Sequence, residues 1–115
     1  MMPPKPRVVL ANAFSLSMLS ATETTLRVRE ITADEVKKLL SSSEFESAIG
    51  HESTASYLSR LLGVEVRAER KQVTLTPNVI LIVFQLTGRL PEGKVLTEEE
   101  LKQLQYKFFV VEVVE

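Results

Sequence analysis

The strongest signal in the chain is Val79-Ile-Leu-Ile-Val-Phe84, an unbroken apolar run entered from Asn78. A run apolar on both faces predicts a central strand covered on both sides. Arg7 to Ala11 carries a shorter run, Val8-Val9-Leu10, and predicts a second buried strand. From Thr24 to Ile31 the pattern alternates, with Leu26, Val28 and Glu30 against Thr25, Arg27, Arg29 and Ile31. That period of two, rich in β-branched and charged residues, predicts a strand with one wet face. Phe108 to Val114 reads as a closing strand, and Val64 to Leu75 as strand, turn, strand around the charged Glu69-Arg-Lys71.

Between the strands the period lengthens to that of helices. Thr32-Ala-Asp-Glu35 is a capping box, in which hydroxyl and carboxylate satisfy orphan N–H groups reciprocally. Val36, Leu39 and Leu40 behind it supply an apolar stripe, and Ser41-Ser-Ser43 ends the helix. A second helix follows Gly50, with Ala55, Leu58, Leu61 and Leu62 on one face and Gly63 as its left-handed terminator. Leu16 to Leu19 predicts one helical turn, and Thr97-Glu-Glu-Glu100 a further capped helix bearing Leu101 and Leu104. Met1 to Pro6 holds three prolines and reads as a flexible arm. The expected architecture is therefore a single α/β domain over residues 7–115, with a mixed sheet of about five strands flanked by helices.

Composition narrows the chemistry. In 115 residues, 14 basic side chains face 15 acidic ones, and a protein that coats duplex nucleic acid by bulk charge is normally more basic. A site for one anion stays open, because backbone N–H groups supply positive potential without net charge. There is no cysteine and one histidine, which removes disulfides, thiolate nucleophiles, zinc fingers and iron–sulfur clusters. No metal or cofactor is expected. The longest uncharged stretch, Gln72 to Gly88, falls short of the ~20 apolar residues of a membrane span, so no membrane partner is expected. The apolar Val8-Val9-Leu10 after Lys5 and Arg7 imitates a signal peptide, but Asn12, Ser15 and Ser17 interrupt it, which leaves the cytoplasm as the expected location.

Three stretches offer chemistry. Gly50-His51-Glu52-Ser53-Thr54 stands at the mouth of a predicted helix, where N–H groups and the helix dipole favour an anion. His51 there has a side chain suited to donating a proton near neutral pH. The plainer reading is that Ser53 caps the helix and His51 is a surface residue. Gly88-Arg89-Leu-Pro-Glu92-Gly93-Lys94 follows the strongest strand, where α/β sheets hold their ligands. Arg89 carries a planar fork suited to phosphate. The stretch also spells the glycine and lysine spacing of a P-loop, but Val95 stands where a hydroxyl must bind magnesium, so the match is chance. It also suits an exposed turn. Leu10-Ala-Asn-Ala-Phe-Ser15 leaves space after a strand, with Asn12 and Ser15 as donors and acceptors, or is simply a polar strand end.

Taken together and in this order, Leu10-Ala-Asn-Ala-Phe-Ser15, Ile49-Gly-His-Glu-Ser-Thr54, and Gln85 followed by Arg89-Leu90, Glu92-Gly-Lys94 and Leu96 resemble the viral ring nuclease family. That family includes anti-CRISPR proteins against type III systems and related cellular ring nucleases. The resemblance runs from about Val8 to the last strand and leaves out the proline-rich arm.

The resemblance implies a homodimer that binds cyclic tetra-adenylate and cuts it without metal to linear oligoadenylates with cyclic-phosphate ends, switching off type III CRISPR signalling. His51, Arg89 and Glu92 match the catalytic positions. Asn12, Ser15, Ser53, Thr54, Arg70 and Gln85 match ligand-contacting ones. In such a reaction the ribose 2′-OH is the nucleophile, and His51 protonates the departing 5′ oxygen. Arg89 steadies charge on the phosphoryl oxygens. Glu92 either orients His51 or accepts the 2′-OH proton. A four-fold ring on a two-fold dimer presents equivalent bonds to two copies of His51. The alternative function is a module that sequesters cyclic oligoadenylate without cutting it, and a third reading is a protein-interaction module that binds no nucleotide.

Overall fold

The computed structural model describes residues 7–42, 44–69, 71–86 and 106–114. These residues form β1 (Arg7–Ala11), a 3-10 turn (Leu16–Met18), β2 (Thr25–Ile31), α1 (Ala33–Ser42), β3 (Phe45–Ala48), α2 (Glu52–Leu62), β4 (Val79–Leu86) and β5 (Tyr106–Val114). The strands make one mixed sheet in the order β2-β5-β4-β1-β3. β3, β1 and β4 run parallel, and β5 lies antiparallel between β4 and β2.

The apolar run of β4 is central because both its faces are buried. Ile80, Ile82 and Phe84 join Val8, Leu10, Phe108 and Val110 under the two helices. Val36 and Leu40 of α1 and Ala55, Leu58 and Leu62 of α2 close that layer. Val79, Leu81 and Val83 face the other way, with Val9, Ala11 and Val111. There the cover comes from irregular chain: Phe14, Met18 and Leu19 on one side, Val73 and Leu75 on the other. Leu75 N–H donates to Met18 O at 2.6 Å, which joins the two covering segments. Fully burying one such Val, Leu, Ile or Phe side chain stabilises by about 1.5–3 kcal/mol.

The capping box of α1 forms as the spacing predicts. Glu35 N–H donates to Thr32 Oγ1 at 3.2 Å, and Thr32 N–H to Glu35 Oε1 at 3.3 Å. Gly63 ends α2 at φ +68, and its N–H donates to Ser59 O. β2 is wetter than the single wet face expected: Val28 and Glu30 are exposed as well as Thr25, Arg27 and Arg29, and only Ile31 of the strand is buried, opposite Phe108. β5 begins two residues before the expected Phe108.

One strand is not foreseen by the pattern, and one expectation fails. Phe45-Glu-Ser-Ala48 carries no strand pattern, yet it pairs with β1 as an edge strand. Val64 to Leu75 is not strand, turn, strand. It makes isolated bridges only, Ile49 with Ala68 and Leu19 with Leu75, and its valines enter the core from irregular backbone. The predicted helix after Thr97 and the arm at residues 1–6 lie outside the described residues.

Candidate functional site

Three parallel strands bring the sequence motifs to one end of the sheet. Ala11 is in register with Ala48 on one side and Val83 on the other. Asn12 and the Ile49–His51 segment therefore follow the carboxyl ends of neighbouring strands, and Gln85 is the next-to-last residue of β4. Open α/β sheets hold ligands at that position.

His51 occupies the N-cap of α2 with extended backbone, φ −131 and ψ 132. Ala55 N–H donates to its carbonyl at 3.0 Å, which starts the helix. The imidazole makes no capping hydrogen bond and is exposed. Ser53 is not the cap that the plainer reading of the motif required. It lies inside the first turn, exposed, and Thr54 beside it is half-buried. The N-cap position normally selects Ser, Thr, Asp or Asn, so a histidine there forgoes a local stabilisation.

Asn12 is half-buried just past β1. Ser15 caps the 3-10 turn: its Oγ accepts Ser17 N–H at 3.3 Å and lies 2.9 Å from Ser17 Oγ. Gln85 is exposed near the end of β4, opposite Lys107. Arg70, Arg89 and Glu92 lie outside the described residues.

A second polar cluster stands at the β1–β3 pair. Arg7 donates to Glu46 through Nε at 2.7 Å and Nη2 at 2.9 Å, and Lys71 Nζ reaches the same carboxylate at 3.0 Å. The Arg7 guanidinium first, and Lys71 after it, hold the Glu46 carboxyl at about 2 rather than the ordinary 4.5. The cluster fastens the chain after α2 to the edge strand, as do Ser47 Oγ donating to Arg67 O and Glu69 N–H to Ile49 O. A shallow groove of about 330 Å³ runs beside this edge, lined by Phe45, Glu46, Ser47, Glu65, Arg67, Glu69 and Lys71. None of the residues singled out in the three motifs lines it.

The motifs gave no hint of an aromatic group at the same end of the sheet as His51. Tyr57 on α2 packs on Phe84 and on Tyr106, with ring centroids 6.1 and 6.2 Å apart.

Comparison with known proteins agrees with this architecture. The family model of the STIV B116-like proteins matches residues 8–108. The chain belongs to the STIV B116-like family. Uncharacterized protein 26 of Sulfolobus islandicus filamentous virus is 38% identical over 106 residues, covering 91% of this chain and 90% of its own. Uncharacterized protein YddF of Bacillus subtilis is 34% identical, covering 86% of this chain and 94% of its own. Among solved structures, B116 of Sulfolobus turreted icosahedral virus superposes with a TM-score of 0.77 at 30% identity, over 92% of this chain and 98% of B116. This STIV B116-like chain thus shares its fold with a viral protein, and its relatives include both viral and bacterial proteins.

Proposed function

We propose that this B116-like protein is a metal-independent ring nuclease that, as a homodimer, binds cyclic tetra-adenylate and cuts it. The observation that carries the reading is the placement of the sole histidine. It holds the N-cap of α2, exposed, with an imidazole not used for capping, beyond the carboxyl ends of three parallel strands. A helix start favours a phosphate, and a side chain left out of the cap is available to it.

The chemistry balances without a metal. The 2′ oxygen attacks the adjacent phosphorus, the bond to the 5′ oxygen breaks, and a 2′,3′-cyclic phosphate forms. His51 gives its proton to the departing 5′ oxygen, and the 2′-OH proton passes to Glu92 or to water. Holding the reacting atoms in near-attack geometry supplies about 7–11 kcal/mol in the best intramolecular cases, and acid catalysis adds about 10²–10⁴-fold. Arg89 opposes charge growing on the phosphoryl oxygens. Asn12, Ser15, Ser53, Thr54, Arg70 and Gln85 are assigned to ring binding by the motif match. In this reading the protein acts in the cytoplasm, on the messenger of type III CRISPR defence. Among the described residues, no helix is long and apolar enough to cross a membrane.

The test is incubation of the full chain with cyclic tetra-adenylate in EDTA, followed by chromatography of the products. Linear oligoadenylates with cyclic-phosphate ends are expected. A folded dimer that leaves the ring intact overturns the proposal, and tight binding without cleavage would make the protein a sequestering module.

A further inference from the structure

The rings of Phe108, Phe84, Tyr106 and Tyr57 form one continuous aromatic cluster. Centroid separations are 5.4 Å for Phe84–Phe108, 5.4 Å for Phe84–Tyr106 and 5.5 Å for Tyr106–Phe108. Tyr57 completes it across the helix–sheet boundary. The cluster is graded. Phe84 and Phe108 are buried, whereas Tyr57 and Tyr106 are half-exposed. The rings that carry hydroxyls are therefore the ones at the rim.

That rim lies at the motif end of the sheet. Tyr106 pairs with Leu86, the last residue of β4, one position beyond the Gln85–Lys107 pair. Tyr57 follows His51 by six positions on α2, about 9 Å along the axis at the usual helical rise. Helical side chains lean toward the helix N-terminus, which brings the Tyr57 ring back toward the end of α2 that holds His51.

The two hydroxyls are hydrogen-bonded to each other, and burial first, then that neighbour, pushes the Tyr57 phenol above its ordinary 10. Whichever hydroxyl donates within the pair, one O–H is left to donate and lone pairs are left to accept, side by side on an apolar wall. Adenine displays the complementary pair, an N6 amino donor beside a ring-nitrogen acceptor. A purine face also packs favourably against aromatic rings, by about 1–3 kcal/mol per stacked base.

We infer that Tyr57 and Tyr106 form an adenine-holding subsite, set about one nucleotide from His51, that contributes to ring binding and to base choice. The inference rests on the cyclic oligoadenylate reading. Tyr57 and Tyr106 are binding residues in it and touch no reacting atom, so they act on affinity rather than on the chemical step.

The chain supplies its own probe. It has two tyrosines and no tryptophan, so intrinsic tyrosine emission reports on this pair alone. Full-length protein is titrated with cyclic tetra-adenylate while calorimetry measures binding and tyrosine fluorescence is recorded. Tyr57→Phe and Tyr106→Phe, which keep the rings and the packing, are compared for Kd, KM and kcat. The expected result is quenching of emission on binding, with Kd and KM raised about tenfold in each variant and kcat at saturation unchanged. Calorimetric binding with unchanged emission and variants that bind like the parent overturns the subsite and leaves the proposed nuclease standing. A fall in kcat at constant KM overturns it as well. Absence of any ring binding to the parent overturns both readings together.

Discussion

Ser59 on α2 holds Val66 through both of its backbone polar groups. The Oγ accepts Val66 N–H at 2.8 Å and lies 3.1 Å from Val66 O, with Ala55 O also in reach at 2.9 Å. One hydroxyl thus stands in for a strand partner where the chain has none, and it lets Val66 enter the helix-side core from irregular backbone. Ser59→Ala should destabilise by about 1–3 kcal/mol, because the Val66 N–H keeps its buried position and loses its acceptor. Urea denaturation measures the change; a shift below 0.5 kcal/mol, roughly the scatter of surface substitutions, contradicts it.

At the start of the same helix, stability and the proposed chemistry pull apart. His51→Asn puts a favoured cap where the imidazole makes no capping bond. The variant should gain about 0.5–2 kcal/mol of stability and lose cleavage by about 10²–10⁴-fold. His51→Ala should keep ring affinity within a few-fold while losing cleavage to the same extent. Thermal melting, calorimetry and single-turnover cleavage on the three proteins give the comparison, and full activity in either variant removes His51 from its role.

Acid should weaken the edge of the sheet in a defined window. The Glu46 carboxyl is held down at about 2 in the folded protein, against an ordinary value of 4.5. A depressed carboxyl stabilises the fold above its unfolded value, and the contribution fades as pH drops through that value toward the folded one. Glu46→Gln removes it. The variant should be less stable than the parent at pH 7, and the two should converge near pH 2. Urea midpoints at several pH values test this; a constant gap contradicts the assignment.

Gly63 closes α2 at φ +68, where an L side chain is strained. A Cβ there meets nothing within 4 Å among the described residues, so the cost is conformational and not steric. Gly63→Ala should destabilise by about 1–2 kcal/mol, with Gly63→Asn costing less because Asn tolerates the left-handed region. Equal melting temperatures for all three proteins would contradict the cap.

What sequence makes visible here is what local physics decides. β4 is legible because six consecutive apolar side chains need cover on both faces, and α1 because Thr32 and Glu35 satisfy each other across three residues. β3 is not, since Phe45-Glu-Ser-Ala48 is short and half polar, and its pairing comes from β1, remote in sequence, and from the Arg7–Glu46 contact. Val64, Val66, Val73 and Leu75 mimic strands for the opposite reason. Their alternation reflects core contacts, while the backbone N–H of Val66 goes to the Ser59 hydroxyl and that of Leu75 to Met18 O. At the site, Asn12, His51 and Gln85 stand in successive motifs, and their shared position at one sheet end follows from parallel pairing. The Tyr57–Tyr106 contact was invisible, because helix and strand meet there only in three dimensions.

The strand order also dictates a timetable. β1 leaves the ribosome first, but both of its neighbours, β3 and β4, are encoded well downstream, and the last of them ends at Leu86. Until Leu86 is made, Val8, Val9 and Leu10 can pair only with the short edge strand β3 and lack their central partner. The nascent chain must carry this buried segment half-covered over that interval, and this is when holding chaperones or a slowed ribosome would decide the yield of native protein.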